Sequence, residues 1–141
     1  MDVQFIAGFA PIASDPARAQ AFYRDALGLP LETNAENPGY IATDHFDGAK
    51  HFGVWPLADA AESCFGTRHW PEDTPTPQAT IEFELATIDA LGDAARELET
   101  LGYRLIHSPR TEPWGQVVAR LLGPEGLLIG LSYSPWFHEG E

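Results

Sequence analysis

The chain predicts an α+β fold made of two tandem βαβββ units, and three observations carry that expectation. Two helical stretches, Asp15 to Leu29 and Ile88 to Gly102, share apolar residues at three- and four-residue steps, and glycine stops each of them, Gly28 and Gly102. A strand-like segment precedes each helix, Val3 to Ile12 and Gln78 to Leu85. Three short strand candidates separated by turn formers follow each one. One supersecondary unit used twice accounts for all of this, and two such units can enclose a cavity.

Val3 to Ile12 is rich in strand formers and stops at Ser14-Asp15-Pro16, where Ser or Asp can cap a helix and Pro suits its first turn. On the helix, Ala19, Phe22, Tyr23, Ala26 and Leu27 form one apolar stripe. Strands are expected at Leu31 to Asn34, Tyr40 to Asp44 and His51 to Pro56, divided by Asn37-Pro38-Gly39 and Asp47-Gly48. Leu57 to Pro77, with Pro71, Pro75 and Pro77, reads as a connection anchored by Phe65 and Trp70.

Gln78 to Leu85 alternates strictly. Ala79, Ile81, Phe83 and Leu85 occupy the face toward a helix, and Thr80, Glu82 and Glu84 the face toward something polar. The second helix presents Leu91, Ala94, Ala95, Leu98 and Leu101 for burial, and strands are expected at Arg104 to His107, Gln116 to Leu122 and Leu127 to Tyr133. Pro124-Glu125-Gly126 turns between the last two. The expected organisation is one domain, 1–141, of module 1 (3–56), linker (57–77) and module 2 (78–133).

Eight basic against twenty-one acidic residues give a formal charge of -13. Such a surface repels phosphate backbones and anionic membranes and attracts cations, so neither nucleic acid nor membrane is expected as a partner. Cys64, the single cysteine, excludes an intrachain disulfide. Without a basic, apolar leader or a spanning apolar run, the expectation is a soluble cytoplasmic protein.

Two stretches, Phe22-Tyr23-Arg24-Asp25-Ala26-Leu27-Gly28-Leu29 and Glu112-Pro113-Trp114-Gly115-Gln116 running on to Gly123-Pro124-Glu125-Gly126-Leu127-Leu128-Ile129, resemble the glyoxalase, bleomycin resistance protein and extradiol dioxygenase superfamily, the vicinal oxygen chelate fold. The resemblance implies paired units whose mixed sheet curves into a cup, in a homodimer. It also implies metal ligands on the first and last strands of each unit in those members that are metal enzymes. At the matching positions this chain has Gly8, Thr80, Gly130 and, on the remaining strand, Gly53 or Trp55. None is a plausible primary ligand, so no metal and no other cofactor is expected. A register slip of two would bring Glu82 into the cup, where His51 or His45 could join it.

His69, His107 and His138 read as solvated or capping residues, and a Cys64 and His69 nucleophilic pair lacks a visible orienting group. No glycine-rich phosphate loop or Gly-x-Ser-x-Gly elbow occurs. A cup without metal retains shape, aromatic surface and negative charge. Thr80, Glu82 and Glu84 place two carboxylates about 7 Å apart along one strand face. Trp55, Trp70, Trp114, Trp136, Tyr40 and Phe52 offer flat surfaces for a planar or cationic ligand. The candidate ligand-binding residues are therefore Thr80, Glu82, Glu84, Trp55, Trp114 and Tyr40.

The function expected is sequestration of a cationic or aromatic small molecule, as the resemblance to bleomycin resistance proteins implies. The alternative is a metal-dependent glyoxalase-like lyase or isomerase, or an extradiol dioxygenase, with displaced ligands. A third reading is a protein-interaction module using Pro71 to Pro77 and the tail Ser134-Pro135-Trp136-Phe137-His138.

Overall fold

A computed structural model describes residues 1–140. Eight strands form one mixed sheet: β1 (Phe5–Ala13), β2 (Glu32–Thr33), β3 (Ile41–Thr43), β4 (Phe52–Pro56), β5 (Ala79–Glu84), β6 (His107–Thr111), β7 (Val117–Leu122) and β8 (Leu128–Tyr133). Their order is β2-β3-β4-β1-β5-β8-β7-β6. The two halves join edge to edge through the antiparallel β1–β5 pair, while β1–β4 and β5–β8 are parallel. The fold class expected from the sequence is the one observed.

Helix α1 (Pro16–Gln20) starts where Asp15 Oδ1 accepts the Arg18 N–H at 3.2 Å and continues as a π-helical turn over Ala21–Ala26. Its last bond runs from the Leu27 N–H to the Phe22 carbonyl. That five-residue closure rotates the apolar stripe. Tyr23 packs inward, but Phe22 and Leu27 are more than half exposed, contrary to the single buried stripe expected. Gly28, with φ of 71°, supplies the left-handed stop. Helix α3 (Ile88–Thr100) is capped by the Thr87 hydroxyl, and buries Leu91, Ala94 and Ala95. Leu101 lies past its end and is exposed, a second departure from the expected stripe.

Two further departures concern elements. The expected strand at Arg104 to His107 starts later, at His107, and runs to Thr111. Pro109 is tolerated there because β6 is an edge strand with a register shift between His107 and Arg110. The segment read as a connection holds a third helix, α2 (Leu57–Phe65). Leu57, Ala60, Ala61 and Cys64 stand at steps of three and four, the helical period.

Helices α1 and α3 cover one face of the sheet. Ala13, Leu31, Ile41 and Val54 are buried with Tyr23 and Phe52 near α1, and Leu85, Leu91, Ala94 and Leu131 are buried together near α3. Each large aliphatic side chain so buried contributes about 1.5–3 kcal/mol. Helix α2 lies on the opposite face. Its Ala60, Ala61 and Cys64 pack with Ile12, Trp55, Leu122, Leu128 and Trp70. That face is concave: β4 and β7 stand four strand spacings apart, about 19 Å in a flat sheet, yet the Arg120 guanidinium sits 5.3 Å from the Trp55 ring centroid. Among the described residues no helix is long and apolar enough to cross a membrane.

Candidate functional site

Strand register divides the concave face into rows. Phe5, Glu84 and Ser132 are level with one another at one end, and Ala10, Thr80 and Leu128 are level nearer the other. Between them lies the row Gly8, Glu82, Gly130 and Arg120, on β1, β5, β8 and β7. The parallel pairing of Phe9 with Phe52 extends this row to His51. A methyl group placed on Gly8 would lie 3.6 Å from His51 Cβ and 3.5 Å from Glu82 Oε1. One row thus carries three polar side chains, His51, Glu82 and Arg120, separated by two glycines.

The cavity over this row has a volume of about 480 Å³. Helix α2 packs at one end of the concave face and the C-terminal tail, with Pro135–Phe137 in a short 3-10 turn, borders the other. Aromatic walls come from Trp55, Trp114, Trp136, Phe137 and Tyr40.

Glu82 stands on the floor. Its Oε2 accepts from Gln116 Nε2 at 2.9 Å, and that amide also donates to Ser132 Oγ at 2.9 Å. Gln116 Oε1 accepts from the Trp114 indole N–H at 2.8 Å, which fixes the amide orientation and swings Trp114 over the cavity. Among the described residues no Lys or Arg pairs with Glu82.

Tyr40 and His51 stack at 6.1 Å between ring centroids. Asp44 Oδ1 accepts from His51 Nδ1 at 2.5 Å, and His51 Nε2 is hydrogen-bonded to the Tyr40 hydroxyl. Burial, with the Glu82 and Asp44 charges added, pushes the Tyr40 phenol well above its ordinary range. It stays protonated and acts as a donor.

Arg120 is 1 % exposed. Its Nη1 donates to Glu112 Oε1 at 2.8 Å and to His107 Nε2 at 3.3 Å, while His107 Nδ1 donates to the Ser108 carbonyl. Burial, reinforced by the neighbouring Arg120 charge, pushes the His107 imidazole down to about 4, so it is neutral.

Of the six candidate residues, Thr80, Glu82, Trp55, Trp114 and Tyr40 line the cavity, although the Thr80 hydroxyl already donates to the Leu128 carbonyl. Glu84 shares their face and is shut away from the cavity. Its Oε2 accepts from the Ser134 N–H at 2.5 Å and from His138 Nε2 at 2.8 Å, and burial raises its carboxyl above the usual range. His138 is accordingly a buried partner of Glu84 stacked on Tyr133, and not a solvated or capping residue. Phe52 lies on the convex side against Phe9 and Tyr23, and Trp70 packs on Phe65 beneath α2. Cys64 is buried with its thiol pushed up to about 11, mainly by burial, which removes it as a nucleophile.

The second-unit position level with Gly8 and Gly130 is Glu82, two residues beyond the Thr80 that sequence alignment selects. Even so, the donors do not fit a metal ion. Gly8 and Gly130 offer no side chain, both His51 nitrogens are engaged, and one Glu82 oxygen is held by Gln116. Among the described residues no three His, Cys, Asp or Glu side chains converge on one point.

Sequence reasoning passed over Arg120 and Gln116. A lone arginine in the apolar run Val117-Val118-Ala119-Arg120-Leu121-Leu122 was the available signal.

A family model described as Glyoxalase/Bleomycin resistance protein/Dioxygenase superfamily matches residues 6–131. Among solved structures, a glyoxalase/bleomycin resistance protein/dioxygenase superfamily member from Vibrio splendidus 12B01 is 14% identical, with 94% of this chain and 100% of that one covered and a TM-score of 0.58. Methylmalonyl-CoA epimerase from Streptomyces coelicolor is 20% identical, covering 94% and 96%, with a TM-score of 0.54. The 2,2',3-trihydroxybiphenyl 1,2-dioxygenase of Sphingomonas wittichii is 16% identical over 92% of this chain and 42% of its own, with a TM-score of 0.57. At these identities the likeness is one of fold. A search of curated proteins found none that matches.

Proposed function

The chain belongs to the glyoxalase/bleomycin resistance protein/dioxygenase superfamily, and on that premise we propose that its cup binds a small aromatic cation and holds it unchanged, without a metal ion. One observation carries this reading. Glu82 places a carboxylate on the floor of an aromatic-walled cavity with a neutral amide as its hydrogen-bond partner. A cationic ligand supplies the missing charge, and Trp55, Trp114 and Tyr40 supply faces on which a flat or positively charged group is attracted to the ring quadrupole. Asp44 and Glu36, also at the cavity wall, add to the negative field.

The test uses benzylamine as the minimal probe, followed by isothermal calorimetry and by quenching of the cavity tryptophans. Saturable binding is expected, weakened about tenfold or more in Glu82→Gln, since one charge-assisted contact contributes about 1.5–3 kcal/mol. Equal affinity in the wild-type protein and Glu82→Gln would remove the basis of the reading.

A further inference from the structure

The floor of the cavity has a second pole. Among the described residues, Arg120 uses only Nη1: neither Nε nor Nη2 makes a hydrogen bond, and Nε is buried with no partner. The Nε–Nη2 edge is the side on which a guanidinium presents two parallel N–H donors to a carboxylate. The charge around it is also unbalanced. Glu112 faces two guanidinium groups, Arg120 at 2.8 Å and Arg110 at 3.6 Å, and the adjoining His107 is neutral, so the cluster keeps one positive charge over. Packing alone does not require this. Nη1 suffices to hold Glu112, and the buried Nε–H without a partner costs stability that a ligand oxygen would restore.

Arg120 lines the same cavity as Glu82 and occupies the same row, with only Gly130 between them. Their backbones stand two strand spacings apart, about 9–10 Å. A methyl group on Gly130 would lie 3.1 Å from Glu82 Cγ, so the glycine keeps the floor between the two poles open.

We infer that the ligand is a zwitterion: its carboxylate sits on the Nε–Nη2 edge of Arg120, its cationic nitrogen on Glu82, and its flat body against Trp55 and Trp114. This rests on the reading above that Glu82 anchors a cation, and adds the second anchor.

Three probes with one aromatic ring separate the two claims: benzylamine, benzoate and 4-(aminomethyl)benzoate, titrated into the wild-type protein by calorimetry. The zwitterion is expected to bind at least tenfold more tightly than benzylamine. Arg120→Lys keeps a charge beside Glu112 and removes the two-donor edge. It is expected to erase that advantage. In wild-type protein, the Arg120 Nε–H resonance, assigned by its absence in the variant, is expected to move on addition of benzoate.

Equal affinities for 4-(aminomethyl)benzoate and benzylamine overturn the second anchor and leave the Glu82 reading standing. An advantage that survives in Arg120→Lys does the same. Binding of benzoate but not benzylamine overturns the Glu82 reading and leaves the anion edge in place. No binding by any probe at 10 mM overturns both. Because the probe comparison needs no variant, it decides the matter even where Arg120→Lys fails to fold.

Discussion

Replacing Gly53 by alanine tests the architecture of the cavity wall. Gly53 pairs with Ala42 on β3 and faces the Tyr40 ring. A methyl group there would lie 2.7 Å from Tyr40 Oη, 2.9 Å from Cε2 and 3.0 Å from Cζ. Ordinary contacts of these kinds run at about 3.4–4.0 Å, so the ring must retreat by roughly 0.7–1 Å. Tyr40 cannot do so and keep its bond to His51. Overpacking costs about 1–3 kcal/mol, and the lost hydrogen bond about 1 kcal/mol. Alanine regains about 0.5–1 kcal/mol over glycine within a strand. The net expectation is a loss of about 1–3 kcal/mol, read from urea unfolding followed by tryptophan fluorescence. The double variant Gly53→Ala/Tyr40→Leu removes the ring that the methyl strikes, and should recover most of the loss relative to Tyr40→Leu alone. A single variant within 0.5 kcal/mol of wild type, or a cycle with no coupling, would refute the argument.

Four further outcomes are expected. His107 has its folded value depressed to about 4 against an ordinary value near 6.5; the unfolded chain therefore binds the extra proton first, and stability present above pH 6.5 is lost as pH falls toward 4. Denaturation midpoints for His107→Gln should fall less over that window than those of the wild type. Cys64, buried and raised to about 11, should react with a thiol reagent at least a hundredfold more slowly in the folded protein than in urea. Elemental analysis of tag-free protein, incubated with Ni, Zn, Mn or Fe(II) and desalted, should give well below one metal per chain; stoichiometric retention would favour the metal-enzyme alternative. The exposed Phe22 and Leu27 suit a partner surface, and light scattering should give the mass of a homodimer.

The fold was legible because its signals are local. Period-two alternation in Gln78 to Leu85, the helical stripe of Ile88 to Thr100 and the glycines at 28 and 102 each announce an element without reference to the rest of the chain. The site was legible only in part, because its polar row is assembled from four strands and the residue preceding a fifth, and its composition depends on how those strands slide past one another. In the antiparallel β1–β5 pair Gly8 lies opposite Glu82 and Ala10 opposite Thr80, so the residue that shares Gly8's row is set by strand pairing and not by distance from the helix start, which is what selects Thr80. Glu84 was misjudged for another reason. Its alternation is correct, but the tail that covers it comes from fifty residues downstream. Helix α2 was hidden by prolines on both sides, although its own spacing was helical throughout.

That helix gives the architecture a division of labour. Repetition of the βαβββ unit builds a trough with two open ends, and the stoppers at those ends come from outside the repeat: α2 from the stretch between the units, and the Ser134–His138 segment from the chain terminus. The polar row sits on the strands, whereas the two ends of the concave face are covered by segments that contribute no strand to the sheet. Substitutions in either covering segment can therefore alter how the ends of the face are closed, with the strands that carry Glu82 and Arg120 left where they are.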